Sequence, residues 1–219
     1  MRIATVTATR RPWMWPHLVA GLAAQTRRAD VSIVIVHAIE PGPLVALAPS
    51  LIVEEAPSAW KLGRLLNAGL REAFRLGADV ACIWDDDDRY DPGYLASVER
   101  AIGEHPDAWL VGKHAHWTEF PDEPDRKPVE YVAPSHADGR AHWLAGPTIA
   151  IPRATWERGL RYRDDAPIPD GPLLQDAAAL WLASGGKDGE WPPFYSTGSD
   201  GFALRRFSAT HGHAWADPR

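Results

Sequence analysis

The chain has 219 residues, and 45% of them are hydrophobic, which is enough for one domain with a substantial core. Its 23 basic and 29 acidic side chains give a net charge of −6, which argues against a broad nucleic-acid-binding face because such a face is basic. Cys82 is the single cysteine, so an intrachain disulfide is excluded. No apolar run approaches the roughly 18 residues of a membrane span, and none precedes the first predicted strand as in a signal peptide. We therefore expect a cytoplasmic protein in which residues 1–219 form one domain.

Predicted strands and helices alternate through residues 1–105. Short apolar runs predict strands at 3–8, 31–36, 51–53 and 80–84. Helices are predicted to begin at the Thr9–Pro12 turn, to run from a Ser58 cap to Gly77, and to cover 92–102. This order predicts an α/β fold with a mostly parallel sheet flanked by helices, in which ligands bind at the carboxyl ends of the strands.

Residues 106–219 have a less regular pattern. Strands are predicted at 108–120, 142–151 and 202–207, helices at 173–183 and for a short stretch from Arg153, and proline-rich loops at 121–134 and 164–172. No linker separates this half from the first. We therefore expect it to extend the same sheet as a second subsite.

Residues 85–88 are four consecutive aspartates that follow directly on the strand predicted at 80–84. Two carboxylates about 4 Å apart repel by roughly 1 kcal/mol in water and about 4 kcal/mol near a protein surface. Such a cluster favours a hard cation such as Mg²⁺, which commonly binds one or two carboxylates together with substrate phosphates. A solvated acidic loop or a helix cap is the alternative for this run. A calcium EF-hand is excluded, because Tyr90 and Ala96 stand where its loop needs Gly and Glu.

Five segments of the chain match sequence motifs that occur together in one enzyme family. They are Thr7-Ala-Thr-Arg-Arg-Pro, Leu66-Asn-Ala-Gly-Leu, Ile83-Trp-Asp-Asp-Asp-Asp with Asp91-Pro-Gly-Tyr-Leu behind it, Gly146-Pro-Thr-Ile-Ala-Ile-Pro-Arg with Gln175-Asp176, and a terminal Arg206-x-x-x-Thr-His-Gly-His-x-Trp. In these parts the chain resembles family-2-type glycosyltransferases with the GT-A fold. The resemblance implies a Rossmann-like, nucleotide-sugar-binding half at 1–105 and an acceptor-binding, catalytic half at 106–219.

The resemblance also implies a reaction, the metal-dependent and inverting transfer of one sugar from a UDP-, GDP- or dTDP-linked donor to an acceptor hydroxyl. It assigns Mn²⁺ or Mg²⁺ to Asp87 and His211, with His213 as the alternative histidine. Asp176 matches the general base, and Asp164, Asp165 and Asp170 are nearby rivals. The implied donor-binding residues are Thr7, Ala8, Thr9, Arg11, Asn67, Asp85 and Asp86, and the implied acceptor or supporting residues are Asp88, Trp143, Gly146, Gln175 and Trp181.

Several interpretations stay open at this point. His114 and His116 share one face of a predicted strand, where they could bind a metal or line the cleft. A nucleotidyltransferase acting on sugar phosphates also pairs aspartates with Mg²⁺, although the glycine-rich loop expected after its first strand is missing. A non-catalytic carbohydrate- or metal-binding module is the third class. The acceptor is equally open: a sugar, a small metabolite, a protein or a modified nucleic-acid base would fit.

Overall fold

The computed structural model describes residues 1–47, 51–135, 138–165, 170–187, 192–197 and 202–205. Its strands are β1 Ile3–Thr9, β2 Val31–His37, β3 Ile52–Ala56, β4 Val80–Ile83, β5 Arg89–Tyr90, β6 Leu110–Gly112, β7 Ala115–Glu119, β8 Val129–Val132, β9 Ala150–Pro152, β10 Phe194–Ser196 and β11 Phe202–Arg205. Its helices are α1 Trp15–Ala23, α2 Gly42–Leu47, α3 Leu62–Arg75, α4 Tyr94–Glu104, α5 Arg153–Glu157 and α6 Asp170–Ala183. Short 3-10 turns lie at Pro12–Met14 and Gly146–Thr148.

Seven strands form the central sheet in the order β10-β6-β9-β4-β1-β2-β3. Neighbouring strands pair in parallel except at β9, which is antiparallel to both β4 and β6. The predicted α/β fold with a mostly parallel sheet is therefore confirmed. A second sheet contains four short strands in the order β5-β11-β7-β8. None of the helices in the described part of the chain is long and apolar enough to cross a membrane.

Helices cover both faces of the central sheet, which explains why its middle strands are apolar throughout. Side chains alternate between the faces along each strand. On β2, Ile33 and Ile35 pack in one core with Leu65 of α3. Val34 and Val36 point the other way and pack in a second core with the buried side chains of α1 and α4. The carboxyl ends of β1, β4 and β6 consequently meet at one edge, between two well-packed layers.

The second half departs from the sequence prediction in three places. The single strand predicted at 108–120 is wrong, because β6 and β7 belong to different sheets. The predicted loop at 121–134 contains β8, an edge strand. All four of its side chains are exposed, so they show no alternation between buried and exposed positions. The predicted strand at 142–151 is mostly irregular, and only β9 at its end is strand. Pro147 has no N–H for a sheet ladder, so the chain forms a 3-10 turn there instead.

The start of α3 also differs from prediction. Lys61 is the residue before the first helical turn, whereas Ser58 lies in a preceding turn in which the Trp60 N–H donates to the Pro57 carbonyl at 3.0 Å. The prediction of Ser58 as the cap is therefore wrong. The helix itself ends at Arg75, close to its predicted end at Gly77. Three short elements, α2, β5 and β10, were not predicted, because each is too short for a periodic pattern.

Close packing of α3 on the sheet depends on Gly69, where an added Cβ would overlap Val6 Cγ1 of β1. We expect Gly69→Ala to lower the free energy of unfolding by about 1–3 kcal/mol, the usual cost of overpacking a core. Gly103→Ala is the matched control, since a Cβ at this position of α4 meets no atom within 4 Å. That change should raise the free energy of unfolding by about 0.5–1 kcal/mol through helix propensity. Urea unfolding of both variants measures the difference, and equal effects would contradict the packing argument.

Candidate functional site

The aspartate block and the turn after β1 meet at the carboxyl edge of the central sheet. Residues 85–88 follow β4, and the Thr9–Arg11 turn follows β1, which pairs with β4 in parallel. Arg11 bridges the two segments with ion pairs to Asp86 and Asp87. The structure thus brings together these two sequence-predicted segments.

Asp86 is the innermost of the four carboxylates and is fully buried. It accepts hydrogen bonds from the Thr9 hydroxyl and from the Arg11 guanidinium. Burial acts to lower the pKa of Arg11, but the charges and hydrogen bonds of Asp86 and Asp87 raise it above its ordinary value. Thr9, Arg11 and Asp86 therefore act on each other and hold the aspartate block in place.

Asp85, Asp87 and Asp88 form a cluster that fits a divalent cation. Each offers one carboxylate oxygen, and these oxygens lie within 4.8 Å of one another. Burial raises the pKa of Asp85 well above its usual range, and the neighbouring charges of Asp87, Asp170 and Asp86 raise it further. A cation at this position would relieve both effects, and an all-oxygen donor set suits Mg²⁺ or Mn²⁺. This trio of side chains is called the acidic triad below.

Two tyrosines connect the aspartate block to the turn at 146–148. The Tyr90 hydroxyl accepts from the Asp85 N–H and donates to the Pro147 carbonyl, both at 2.9 Å. The Tyr94 hydroxyl donates to the Thr148 carbonyl at 2.9 Å. The buried ring of Trp84 stacks on Tyr90 with a 3.8 Å centroid separation. These residues position both sides of the site, and the sequence analysis missed their role although the two tyrosines sit just behind the aspartates.

Asp170 is the first residue of α6 and reaches the same region. Its carboxylate packs on Gly146, where an added Cβ would overlap both the carboxylate carbon and an oxygen of Asp170. Burial raises the pKa of Asp170 to about 6. Its charge in turn helps to raise the pKa of Asp85. Asp170, named from the sequence only as a rival base, therefore packs on Gly146, which makes room for it, and its charge acts on Asp85 of the acidic triad.

Asn67 positions the segment that precedes Asp170. Its side-chain amide donates to the Tyr162 carbonyl at 2.8 Å and to Asp164 Oδ1 at 3.0 Å, while its own oxygen accepts from the Tyr162 N–H at 3.0 Å. The Tyr162 ring is buried, and its hydroxyl has no hydrogen-bond partner among the described residues. Burial raises the pKa of Tyr162, followed by the charges of Asp170 and Asp85. An unpaired buried hydroxyl close to these carboxylates is a position where a bound ligand could complete a hydrogen bond.

The predicted base Asp176 lies elsewhere on α6. Its carboxylate accepts two hydrogen bonds from the exposed Arg163 guanidinium, at 2.8 and 3.0 Å. Gln175 is exposed. Trp181 packs over Gly186 at the opposite end of α6 from Asp170. The structure does not bring these three predicted residues to the acidic triad.

The other predicted residues lie in different parts of the chain. Thr7 and Ala8 are buried in β1. Trp143 is partly buried and meets Tyr131 edge-on at 5.1 Å between ring centroids. His114 is hydrogen-bonded to Ser196, and His116 packs against the rings of Tyr131 and Trp143. These different partners do not support a metal site shared by the two histidines. His211 and His213 lie outside the described residues.

The ion pairs of Arg11 generate a stability prediction. Arg11→Gln leaves Asp86 and Asp87 without their guanidinium, and breaking a buried pair typically costs about 3–5 kcal/mol. We expect Mn²⁺ to restore part of this loss, because a cation at the acidic triad replaces the missing charge. Arg89→Gln is the control, since it removes an exposed ion pair with Glu119 and should change little. Urea unfolding with and without Mn²⁺ tests this, and an equal, metal-independent loss in both variants would contradict it.

Comparison with known proteins relates this geometry to a fold. No protein-family model and no curated protein matches the sequence. Among solved structures, the chain is similar to S. aureus TarS 1-349 in complex with UDP-GlcNAc, with a TM-score of 0.66 and 12% identity over 100% of this chain and 62% of that one. It is also similar to the mannosyltransferase PcManGT from Pyrobaculum calidifontis in complex with GDP-Man and Mn²⁺, with a TM-score of 0.58 and 14% identity over 98% of this chain and 58% of that one.

The chain thus spans about three fifths of the length of these two structures. At this level of identity the likeness shows the fold. It agrees with the mixed seven-stranded sheet and with the acidic cluster at its carboxyl edge. The chain has the fold of the GT-A-type glycosyltransferases.

Proposed function

We propose that the chain is a metal-dependent, inverting glycosyltransferase that moves one sugar from a nucleotide-diphosphate sugar to an acceptor hydroxyl. The observation that carries this proposal is the acidic triad at the carboxyl edge of a GT-A-type sheet, where the charge of Asp170 acts on Asp85. Both solved structures contain a nucleotide sugar, UDP-GlcNAc in one and GDP-Man with Mn²⁺ in the other. In this proposal residues 1–105 bind the donor, and residues 106–219 bind the acceptor.

Asp85, Asp87 and Asp88 would hold Mn²⁺ or Mg²⁺, and His211 remains the predicted histidine ligand. A divalent ion bound there supplies positive charge to a diphosphate leaving group. Thr9 at the end of β1 and Arg11 in the turn after it hold Asp86, and Arg11 also holds Asp87 of the triad, before the donor arrives. Such preorganisation reduces the cost of reorientation during the reaction.

We assign the general base to Asp170 in preference to Asp176. As a carboxylate, Asp170 would accept the proton of the acceptor hydroxyl while that oxygen forms a bond to the anomeric carbon. The bond between this carbon and the diphosphate oxygen breaks on the opposite side, so the sugar is transferred with inversion. Asp170 lies beside Asp85, whereas the Asp176 carboxylate is occupied by Arg163. A general base must lie within hydrogen-bond reach of the proton it removes.

The metal assignment is tested with Asp87→Asn, which keeps the side-chain shape but removes one charge from the acidic triad. We expect this variant to lose the Mn²⁺- or Mg²⁺-dependent binding of UDP and GDP, measured by calorimetry with and without metal. Asp125→Asn, which removes an exposed carboxylate, should bind as the wild type does. Thermal unfolding of each variant shows that it is folded. Metal-dependent affinity that survives Asp87→Asn would refute the assignment.

The base assignment is tested by comparing two carboxylates on one helix. Asp170→Asn should leave metal-dependent nucleotide binding intact and slow sugar transfer by roughly 10²–10⁴-fold, the usual contribution of a general base. Asp176→Asn should keep a rate close to that of the wild type. The release of UDP, GDP or dTDP from the corresponding sugar nucleotides, with water or added alcohols as acceptors, gives the rate. The reverse ranking of the two variants would assign the base to Asp176, as the sequence resemblance implied.

A further inference from the structure

A second concave site lies between α3 and residues 161–164, and no residue of the acidic triad lines it. It is a cleft of about 530 Å³, and its walls include Trp60, Arg64, Asn67, Arg71, Arg161 and Asp164. This volume lies within the range of about 300–1,000 Å³ that is typical of small-molecule sites. We call it the arginine cleft. Neither the metal nor the general base proposed above uses its charged residues.

The arginine cleft is positively charged although the chain as a whole carries a net charge of −6. Three guanidiniums line it, against one carboxylate, Asp164, which accepts a hydrogen bond from Asn67. Among the described residues, neither Arg64 nor Arg71 forms an ion pair or a hydrogen bond. Like charges that share a cleft repel, and a bound anion would relieve this repulsion. The cleft therefore suits a negatively charged ligand.

Two walls of the arginine cleft are held in place by the protein itself. Arg161 donates to the Trp156 and Leu160 carbonyls at 2.6 and 2.7 Å and lies 3.3 Å over the Trp156 ring. Arg64 lies over the Trp60 ring with its guanidinium carbon 4.4 Å from the centroid. Burial lowers the pKa of Arg161, and the charge of Arg71 lowers it further, which places these two side chains in each other's field. A fixed guanidinium with aromatic surface beside it suits an anion that carries a larger neutral part.

The arginine cleft is also next to the proposed reaction centre. Tyr162 lines the cleft, its backbone is held by Asn67, and the charges of Asp170 and Asp85 act on its hydroxyl. A ligand held in the cleft would therefore lie against Tyr162, whose hydroxyl is in the field of the carboxylate that we assign as base. The acidic triad, which follows β4, is left for the diphosphate of the donor.

We propose that the arginine cleft binds a phosphate group of the acceptor, so that the acceptor is a phosphate ester with a free hydroxyl. Guanidinium groups match phosphate oxygens with paired hydrogen bonds, which distinguishes them from a simple point charge. The volume of the cleft exceeds that of a phosphate ion and leaves room for a sugar- or polyol-sized unit beside Trp60. The identification of the ligand as the acceptor rests on the proposed function, whereas the anion site itself does not depend on it.

The test uses inorganic phosphate as the probe and the Trp60 indole N–H signal as the readout. The protein is titrated at constant ionic strength, with and without saturating UDP and Mg²⁺, and Trp60→Phe assigns the signal. Acetate serves as the control for general charge effects. Arg64→Gln and Arg71→Gln remove one cleft guanidinium each. Arg75→Gln is the matched control, because Arg75 lies one turn further along α3, outside the cleft, and pairs with Glu72.

We expect phosphate, but not acetate, to shift the Trp60 signal saturably. Arg64→Gln and Arg71→Gln should raise the dissociation constant by roughly tenfold or more, as expected for losing a hydrogen bond to a charged group. Arg75→Gln should leave it unchanged, and UDP with Mg²⁺ should not displace the phosphate. Absence of saturable binding, equal binding in the arginine variants, or displacement by UDP with Mg²⁺ would each overturn the proposal. If UDP with Mg²⁺ fails to bind while phosphate binds, the proposed function falls and the anion site stands.

Discussion

The repulsion among four consecutive carboxylates at the end of a buried strand is the constraint on which the site depends. Asp86 is placed inside and neutralised by Arg11, which also pairs with Asp87. The carboxylates of the acidic triad are close enough to share one ion. Without compensation such a cluster would favour protonation, as the raised pKa of Asp85 indicates. The folded chain therefore offers a site that fits a divalent cation, and in the proposed function a donor diphosphate would bind to that cation.

The segment that follows β4 also positions part of the second half of the chain, through hydrogen bonds between uncharged groups. Tyr90 and Tyr94 extend from behind the aspartates to the carbonyls of the turn at 146–148. That turn contains Gly146, and the absence of a side chain there lets the Asp170 carboxylate approach. The positions of the acidic triad and of the proposed base are thus coupled by two hydroxyls and one glycine. A rigid connection of this kind maintains the spacing that catalysis by positioned groups requires.

Charge is divided between two neighbouring regions of an acidic protein. The acidic triad favours a cation, and the arginine cleft on the α3 side favours an anion. Tyr162 lies between them, with its hydroxyl in the field of Asp170 and Asp85 and its backbone fixed by Asn67. The leaving group of the donor and a charged group of the acceptor would thereby be held apart, on two sides of the proposed base. Opposite local potentials of this kind favour one orientation of the two substrates.

The sequence by itself determined the parallel sheet and the location of the acidic site, because strands buried on both faces are recognisable as apolar runs and four aspartates directly follow one of them. For the base, the resemblance implied Asp176, with Asp164, Asp165 and Asp170 as rivals on and near the same helix. In the folded chain the Asp170 carboxylate packs on Gly146 and its charge acts on Asp85, whereas Asp176 pairs with Arg163, and for this reason we propose Asp170 as the base. The tertiary structure likewise turned Asp86 inward and gathered the arginine cleft from separate segments. These contacts join residues far apart in sequence, and local periodicity carries no information about which distant side chains will meet.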